Sequence, residues 1–286
     1  MPIYARGYGS TVDGGPGTVV PTGMSVDTSG GVIIAGRYAG GPVDVGNHAL
    51  RSPSGGDAFL VQLDGAGNHL ASGVFGDDAL QMGGEVVCSA ARLFASMTFD
   101  RTMTFDASTA NQVSSDGTGT NANSLTARFG PAFQFGALYS FTAPDVTRVT
   151  HLALGAGDSV ITVGDWKNGI KPQSYASSYT RGSTLPGLAI TRVLSSGSPD
   201  VVHLDFCPDN TTCIASALAS NAAGEPLLGG RFKGTINGFA FDGGTITAAT
   251  DDDAYLIKLD ALMNPQWLVA FGGNGTQEVT AIAAAP

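Results

Sequence analysis

The most constraining feature of this sequence is an octapeptide that occurs twice: DAFLVQLD starts at Asp57 and DAYLIKLD starts at Asp253. Aligning the chain on these copies brings out two degenerate ones, NSLTARFG from Asn123 and GLAITRVL from Gly187, so the motif recurs at positions 57, 123, 187 and 253. A fixed period of about 65 residues points to a repeat architecture, in which each unit leaves an apolar face for a neighbour to cover. Within the motif, Phe59, Val61 and Leu63 fall on one side of an extended chain and Ala58 and Leu60 on the other, so neither face suits water.

The residues around the motif predict three more short strands per repeat. A first strand is expected at 21–26, 85–90, 149–154, 214–219 and 278–283, followed by a tight turn such as Asp27-Thr28-Ser29-Gly30-Gly31. The second strand reads VIIAGRY, LFASMTF, VITVGDW or PLLGGRF, with a small residue at Gly36, Ser96, Gly164 or Gly230 that would let a neighbouring sheet come close. Long, dissimilar loops at about 39–56, 100–122, 167–186 and 233–252 precede the motif strand. A turn such as 64–68 then leads to a fourth strand ending in an aromatic residue, as at Phe75-Gly76, Phe141-Thr142, Phe206-Cys207 and Phe271-Gly272. No helical period of 3.6 is present.

Each repeat therefore reads as a four-stranded antiparallel meander, and meanders repeated in line predict an all-β protein, a β-propeller of four-stranded blades. The expected repeats are about 10–76, 77–142, 143–207 and 208–272 of one domain over 1–286, with an orphan fourth strand at 2–9 and an orphan first strand at 278–284. That strand count leaves a ring awkward to close. It predicts an excerpt of a longer propeller, or strands supplied by another chain, because an uncovered edge invites pairing.

The series of glycine turn, VIIAGRY, variable loop, GGDAFLVQLD, Gly-Asn turn and strand ending in Phe-Gly resembles the bacterial SBBP-type β-propeller repeats. The resemblance covers essentially the whole chain, strongly in repeats one and four and weakly in two and three, whose third strands lack the Asp-Ala-aromatic start. It implies a bacterial protein that is secreted or at the cell surface, and it carries no shared catalytic residues, since fold does not transfer activity.

Composition narrows the function further. Charged residues make up only 13% and apolar ones 43%, which suits a folded core and not a disordered acidic chain. A net charge of −10 argues against nucleic acid and anionic membranes as partners. No apolar run reaches the roughly 18 residues of a membrane helix. Only Glu85, Glu225 and Glu278 among the 24 acidic residues are glutamates, and aspartate is the acid of turns.

Most aspartates fall on the side of the long loops. Asp251, Asp252 and Asp253 are the densest group and the candidate calcium ligands, although without a D-x-D-x-D-G loop the preferred reading is that these aspartates serve turns and solubility. No cofactor is expected beyond that possible calcium. Cys207 and Cys213 enclose a short loop and are expected to form a disulfide, with Cys88 a small buried apolar residue.

Gln62, Arg128, Arg192 and Lys258 occupy one repeat position; they read either as a polar binding ring or as side chains that pack their stems and pair their heads, and the second reading is preferred. His48, His69, His151 and His203 occur without a G-x-S-x-G elbow, and no phosphate-binding loop is present. The expectation is a non-enzymatic extracellular scaffold or binding module whose loop face meets a protein, glycan or cell-envelope partner. The alternative is a hydrolase or lyase with an acidic, calcium-bearing face.

Overall fold

The computed structural model describes residues 9–10, 18–45, 49–50, 55–76, 79–90, 92–105, 112–114, 123–142, 147–166, 169–172, 179–180, 185, 187–204, 207–208, 211–236, 245–248 and 251–284. These residues form an all-β protein with no α-helix among them. Sheet one joins Thr18–Val26, Val32–Ala39, Asp57–Leu63 and His69–Phe75, and sheet two joins Gln81–Cys88, Leu93–Phe99, Asn123–Phe129 and Phe135–Thr142. Sheet three joins Thr147–Leu154, Val160–Trp166, Gly187–Val193 and Pro199–Leu204, and sheet four joins Thr212–Ser220, Pro226–Lys233, Asp253–Leu259 and Pro265–Phe271. In every sheet the strands lie side by side in chain order, the antiparallel meander read from the repeat.

The chain divides into two compact units, residues 1–140 and 141–286. Sheets one and two lie in the first and sheets three and four in the second; Phe141 and Thr142, at the end of sheet two's fourth strand, belong to the second unit and pair with Pro172 and Lys171.

The motif strand is buried on both faces. In sheet one, Ala58 and Leu60 join a cluster with Val86, Leu93, Ala95 and Met97 of sheet two, while Phe59, Val61 and Leu63 join Tyr38, Val43, Val45 and Leu50 on the other side. Sheets three and four share a cluster that includes Ile161, Val163, Ile190, Leu228, Tyr255 and Ile257. Leu60, Leu125, Ile190 and Ile257 are fully buried, and each such side chain contributes about 1.5–3 kcal/mol.

A bulge recurs at one place in the first strand of all four sheets, where the register shifts between Pro21 and Gly23, Gly83 and Val86, Val149 and His151, and Ala215 and Ala217. This bulge gives the small residue of the second strand its main reason. Gly36 pairs with Pro21 and Gly230 with Ala215, and a Cβ at either glycine would collide with the carbonyl of Val20 or Ile214 in its own sheet. In sheet two Ser96 takes the place and its hydroxyl accepts from the backbone N–H of Glu85 at 2.9 Å. Close approach of a neighbouring sheet is the second reason, since Gly83 of sheet two lies against Gly36.

Four hairpin turns, all in sheets one and four, share one hydrogen-bond pattern. Asp64 Oδ1 accepts from the backbone N–H of Ala66 and of Asn68, both at 2.8 Å, and Asp260 Oδ1 accepts from Leu262 and Asn264, also at 2.8 Å. Asp27 and Asn221 serve the same purpose in the first turns of sheets one and four. The fourth position of the turn is left-handed, which Gly67 adopts freely at φ 78°, whereas Met263 adopts it at φ 68° with its side chain fully buried in the core.

The segment 278–284, read as an orphan strand, forms no ladder. It is held on sheet four by Val279 N–H donating to Gly230 O at 3.2 Å and by Gln277 N–H donating to Asp252 O at 2.8 Å. A Cβ on Gly229 would meet Val279 and Ile282, so the segment lies against the second strand of sheet four much as Gly83 lies against sheet one. Without a second strand beside it, the segment has no antiparallel partner. The other orphan strand, at 2–9, lies outside the described residues apart from Gly9, which with Ser10 pairs with Asp44 and Val43.

The Phe-Gly ending and the Asp start of the motif turn out to be one lock. A Cβ at Gly272 would collide with the carboxylate of buried Asp253, and one at Gly76 would collide with Asp57 and Gln81. Repeats two and three lack the aspartate, with Asn123 and Gly187 at its place. Gly272→Ala is expected to lower the free energy of unfolding by about 1–3 kcal/mol, as overpacking does. Gly273→Ala, with open space at its Cβ, should stay within about 0.5 kcal/mol. Chemical denaturation of the two variants checks the contrast, and equal losses would remove the lock.

Candidate functional site

The long loops between second and third strands are organised, which their sequences did not reveal. Each contains a small two-stranded ribbon: Val43–Asp44 with Ala49–Leu50, Thr102–Thr104 with Gln112–Ser114, Gly169–Pro172 with Tyr179–Thr180, and Thr235–Ile236 with Ile246–Thr247. Three of the four are visibly nailed down by apolar side chains: Val43, Val45 and Leu50 in the first, Met103 and Phe105 in the second, Ile236 and Ala248 in the fourth are all buried. The alternation VDV and MTF, short as it is, was the available signal.

The second and fourth ribbons turn outward uncharged hydrogen-bonding side chains. Thr102 and Ser114 hydroxyls meet at 3.4 Å, Gln112 Nε2 donates to Thr104 Oγ1 at 3.2 Å, and Thr235 and Thr247 hydroxyls meet at 3.1 Å. Hydroxyls and amides offer donors and acceptors together, the mixture that polar partners such as glycans or loops of another protein require.

The candidate calcium ligands have separate tasks. Asp251 Oδ2 accepts from the backbone N–H of Gly275 at 3.1 Å, and Asp252 Oδ2 is ion-paired with Arg231 Nη1 at 2.5 Å. Asp253 is buried in the lock with Gly272. Arg231 also reaches Glu278 at 3.8 Å, and Glu278 in turn accepts from the Ser216 hydroxyl, so this group ties the segment after the last strand onto sheet four. Among the described residues no three His, Cys, Asp or Glu side chains are grouped as a metal would need.

The recurring polar position pairs its heads. Gln62 Nε2 donates to Asp27 at 3.3 Å, Lys258 pairs with Glu225 at 2.9 Å, and Arg192 forks onto Asp200 while reaching the carbonyl of Ala261. In sheet two Arg92 occupies the place of Glu225, just before the second strand, and burial, with the charge of Arg92 as the lesser cause, lowers the pKa of Arg128. Arg92 also lines a cavity of about 290 Å³ in the first unit, with Asp27, Gln62, Cys88, Phe129 and Phe133.

The histidines stay apart from any such constellation. His151 Nε2 lies 3.3 Å from Ala215 O, a contact between sheets three and four, and His203 is paired with Ile190 through its backbone. His69 opens the fourth strand of sheet one, and His48 is outside the described residues. Among the described residues, no helix is long and apolar enough to cross a membrane. No protein-family model matches the chain, and no curated protein matches it.

Cys207 and Cys213 are bonded, with Cα atoms 6.2 Å apart and both residues fully buried, as their spacing suggested. Cys88 is only half-buried and is more polar than expected: its sulfur lies 3.2 Å from the Ser25 hydroxyl across the contact of sheets one and two, and burial raises its pKa. Replacing Cys207 and Cys213 together by alanine should cost about 2 kcal/mol of stability, the scale of a short closed loop. Peptide mapping without reductant should recover the 207–213 pair and leave Cys88 free.

Acid should loosen the turns in a defined window. The Ser29 hydroxyl, helped by the amides of Gly31 and Ser29, outweighs burial and holds Asp27 below its ordinary pKa, while Lys258 and then Asn221 do the same for Glu225. A carboxylate with a depressed folded value stabilises above its unfolded pKa and loses that contribution as pH falls through the folded value. Urea midpoints should therefore drop below about pH 4.3, and the double variant Asp27→Asn, Glu225→Gln should show a shallower acid limb than the parent.

Proposed function

We propose that the chain is a β-propeller binding module, built of four-stranded blades, that works outside a bacterial cell and holds a protein, glycan or cell-envelope partner on its ribbon face. The observation that carries this reading is the contrast between frame and loops. The four sheets repeat the same strand order, the same bulge and closely similar turns, while the ribbons differ in length and sequence between repeats. A frame that repeats and loops that vary are the usual division between scaffold and recognition.

The propeller reading draws on meander sheets whose motif strand is covered on both faces, and on sheets that share clusters in sequence order within each unit. The extracellular reading draws on the disulfide, which persists in oxidising compartments, and on the resemblance to SBBP-type repeats. Recognition through the hydroxyl and amide groups of the ribbons would be moderate per contact, about 0.5–1.5 kcal/mol for each neutral hydrogen bond, and would need several ribbons at once.

A glycan and cell-envelope screen with the intact chain tests the proposal. Binding is expected to weaken about ten-fold in a variant carrying Thr102→Ala, Gln112→Ala and Ser114→Ala, whose circular dichroism stays that of the parent. Turnover of an arrayed glycan in place of retention would move the protein to the enzyme class. Retention unaffected by changes in any of the ribbons would place recognition elsewhere.

A further inference from the structure

The cavity of about 290 Å³ in the first unit is walled by Asp27 and Gln62 of sheet one and by Ser89, Arg92, Phe129 and Phe133 of sheet two. It lies at the turn ends of the strands. The ladder of sheet one runs from the Val32–Leu63 pair, beside the Asp27 turn, to the Tyr38–Asp57 pair, beside the ribbon, so cavity and ribbon are at opposite ends of that sheet. Its volume is close to the roughly 300 Å³ at which small-molecule sites begin, and its walls combine aromatic rings with a few polar groups, as such sites do.

The sign of the charge at this end is particular to sheet two. In the other sheets the recurring polar head meets a carboxylate from one of three places: Asp27 at the start of the first turn, Asp200 in the fourth strand, or Glu225 just before the second strand. The corresponding places in sheet two hold Ser89, Gly136 and Arg92. Matching turn bonds fix the correspondence, since Gly130 N–H donates to Gln134 O as Leu194 N–H donates to Ser198 O, and Cys88 pairs with Leu93 as Ser220 pairs with Pro226. A Cβ on Gly136 would meet the Arg128 guanidinium, so that head lies over the place that Asp200 takes in sheet three. Burial first and Arg92 second lower the pKa of Arg128, which shows that the two cations sense each other. Both arginines also make contacts of their own, and a guanidinium carries several N–H donors, so an anion can share it.

We propose that this cavity binds a sugar acid, a small ring with one carboxylate and several hydroxyls, its carboxylate on the Arg92 guanidinium and its hydroxyls toward Asp27 and Gln62. The planar fork of arginine matches a carboxylate, and Ser89 Oγ accepts from the Arg92 backbone N–H at 3.2 Å, which holds the backbone that carries it. Asp27 decides between anions. Its carboxylate repels the double charge of a phosphate but accepts from hydroxyls: Oδ1 is taken up by Ser29 and the amide of Gly31, while Oδ2 accepts from Gln62 at 3.3 Å, a long bond that leaves room for another donor. Phe129 and Phe133 offer the C–H face of the ring an apolar wall. The site stands apart from whatever the ribbons bind.

Isothermal titration calorimetry of the intact chain with glucuronate, glucose and inorganic phosphate tests this. At low ionic strength glucuronate should bind one site with a Kd of about a millimolar, the strength a ligand this small reaches, and glucose and phosphate about ten-fold more weakly or worse. Arg92→Glu puts the residue of sheet four in this place, where it can meet Arg128 as Glu225 meets Lys258. It should keep the parent's melting temperature and weaken glucuronate about ten-fold or more. Gly136→Asp leaves the cavity wall as it is and offers Arg128 the carboxylate that Asp200 gives Arg192; by neutralising the neighbouring charge it should weaken glucuronate as well. No heat with glucuronate up to about 20 mM overturns the proposal, as does binding that either variant, folded, leaves unchanged. Glucose as tight as glucuronate overturns the role of charge, and phosphate as tight overturns the assignment to a sugar acid. The ribbon variant Thr102→Ala, Gln112→Ala, Ser114→Ala should bind glucuronate like the parent; a loss there would put the site on the ribbon and overturn its place in the cavity.

Discussion

Everything else in the structure depends on the burial of the motif strand on both of its faces. A strand such as Asp57–Leu63 that is apolar on both sides needs a layer against each, which a lone meander cannot supply. Sheet two covers Ala58 and Leu60, and the ribbon of sheet one, with Val43, Val45 and Leu50, helps cover the other face. The ribbons are therefore part of the core before they are part of any surface. Their inner residues close the sheet and their outer ones are released for contact.

The repeat legible in the sequence extends to hydrogen bonding. Asp27, Asp64, Asn221 and Asp260 each spend a side-chain oxygen on two backbone amides of their turn, a task for which a glutamate would be one carbon too long to reach back. Asp251 and Asp252 belong to the same economy of local contacts, since each holds the segment that follows the last strand. Gln62, Arg192 and Lys258 complete it by setting long polar heads against carboxylates at the sheet ends.

Strand order, turn positions and the disulfide could be read from residue patterns because each is decided by a few neighbours in sequence. The bulge of the first strand could not, because Pro21, Val149 and Ala215 share no residue type; only the small residue opposite them betrays it, and that smallness has a second cause in the approach of Gly83. The ribbons escaped because two-residue strands such as Thr235–Ile236 are too short for a period to show. Segment 278–284 has the residues of a strand without the ladder, since pairing depends on what lies beside it and not on propensity alone. Arg92 opposite Arg128 was equally hidden, for the alignment of the motif did not extend to the residue before each second strand.

The ribbon sits inside a hairpin whose two sides, Val32–Ala39 and Asp57–Leu63, are already held together by a seven-residue ladder. Lengthening a loop between ends that are fixed costs only about 0.6 kcal/mol of closure entropy per doubling. The connection between second and third strands is thus the place in each repeat where new sequence can be accepted most cheaply, provided that one or two apolar residues such as Met103 and Phe105 still reach the core. For engineering, the ribbons become cassettes of unequal independence: a foreign loop grafted into the fourth repeat should disturb one sheet's lid, whereas one grafted into the third would also remove the pairing of Pro172 and Lys171 with Phe141 and Thr142 of sheet two.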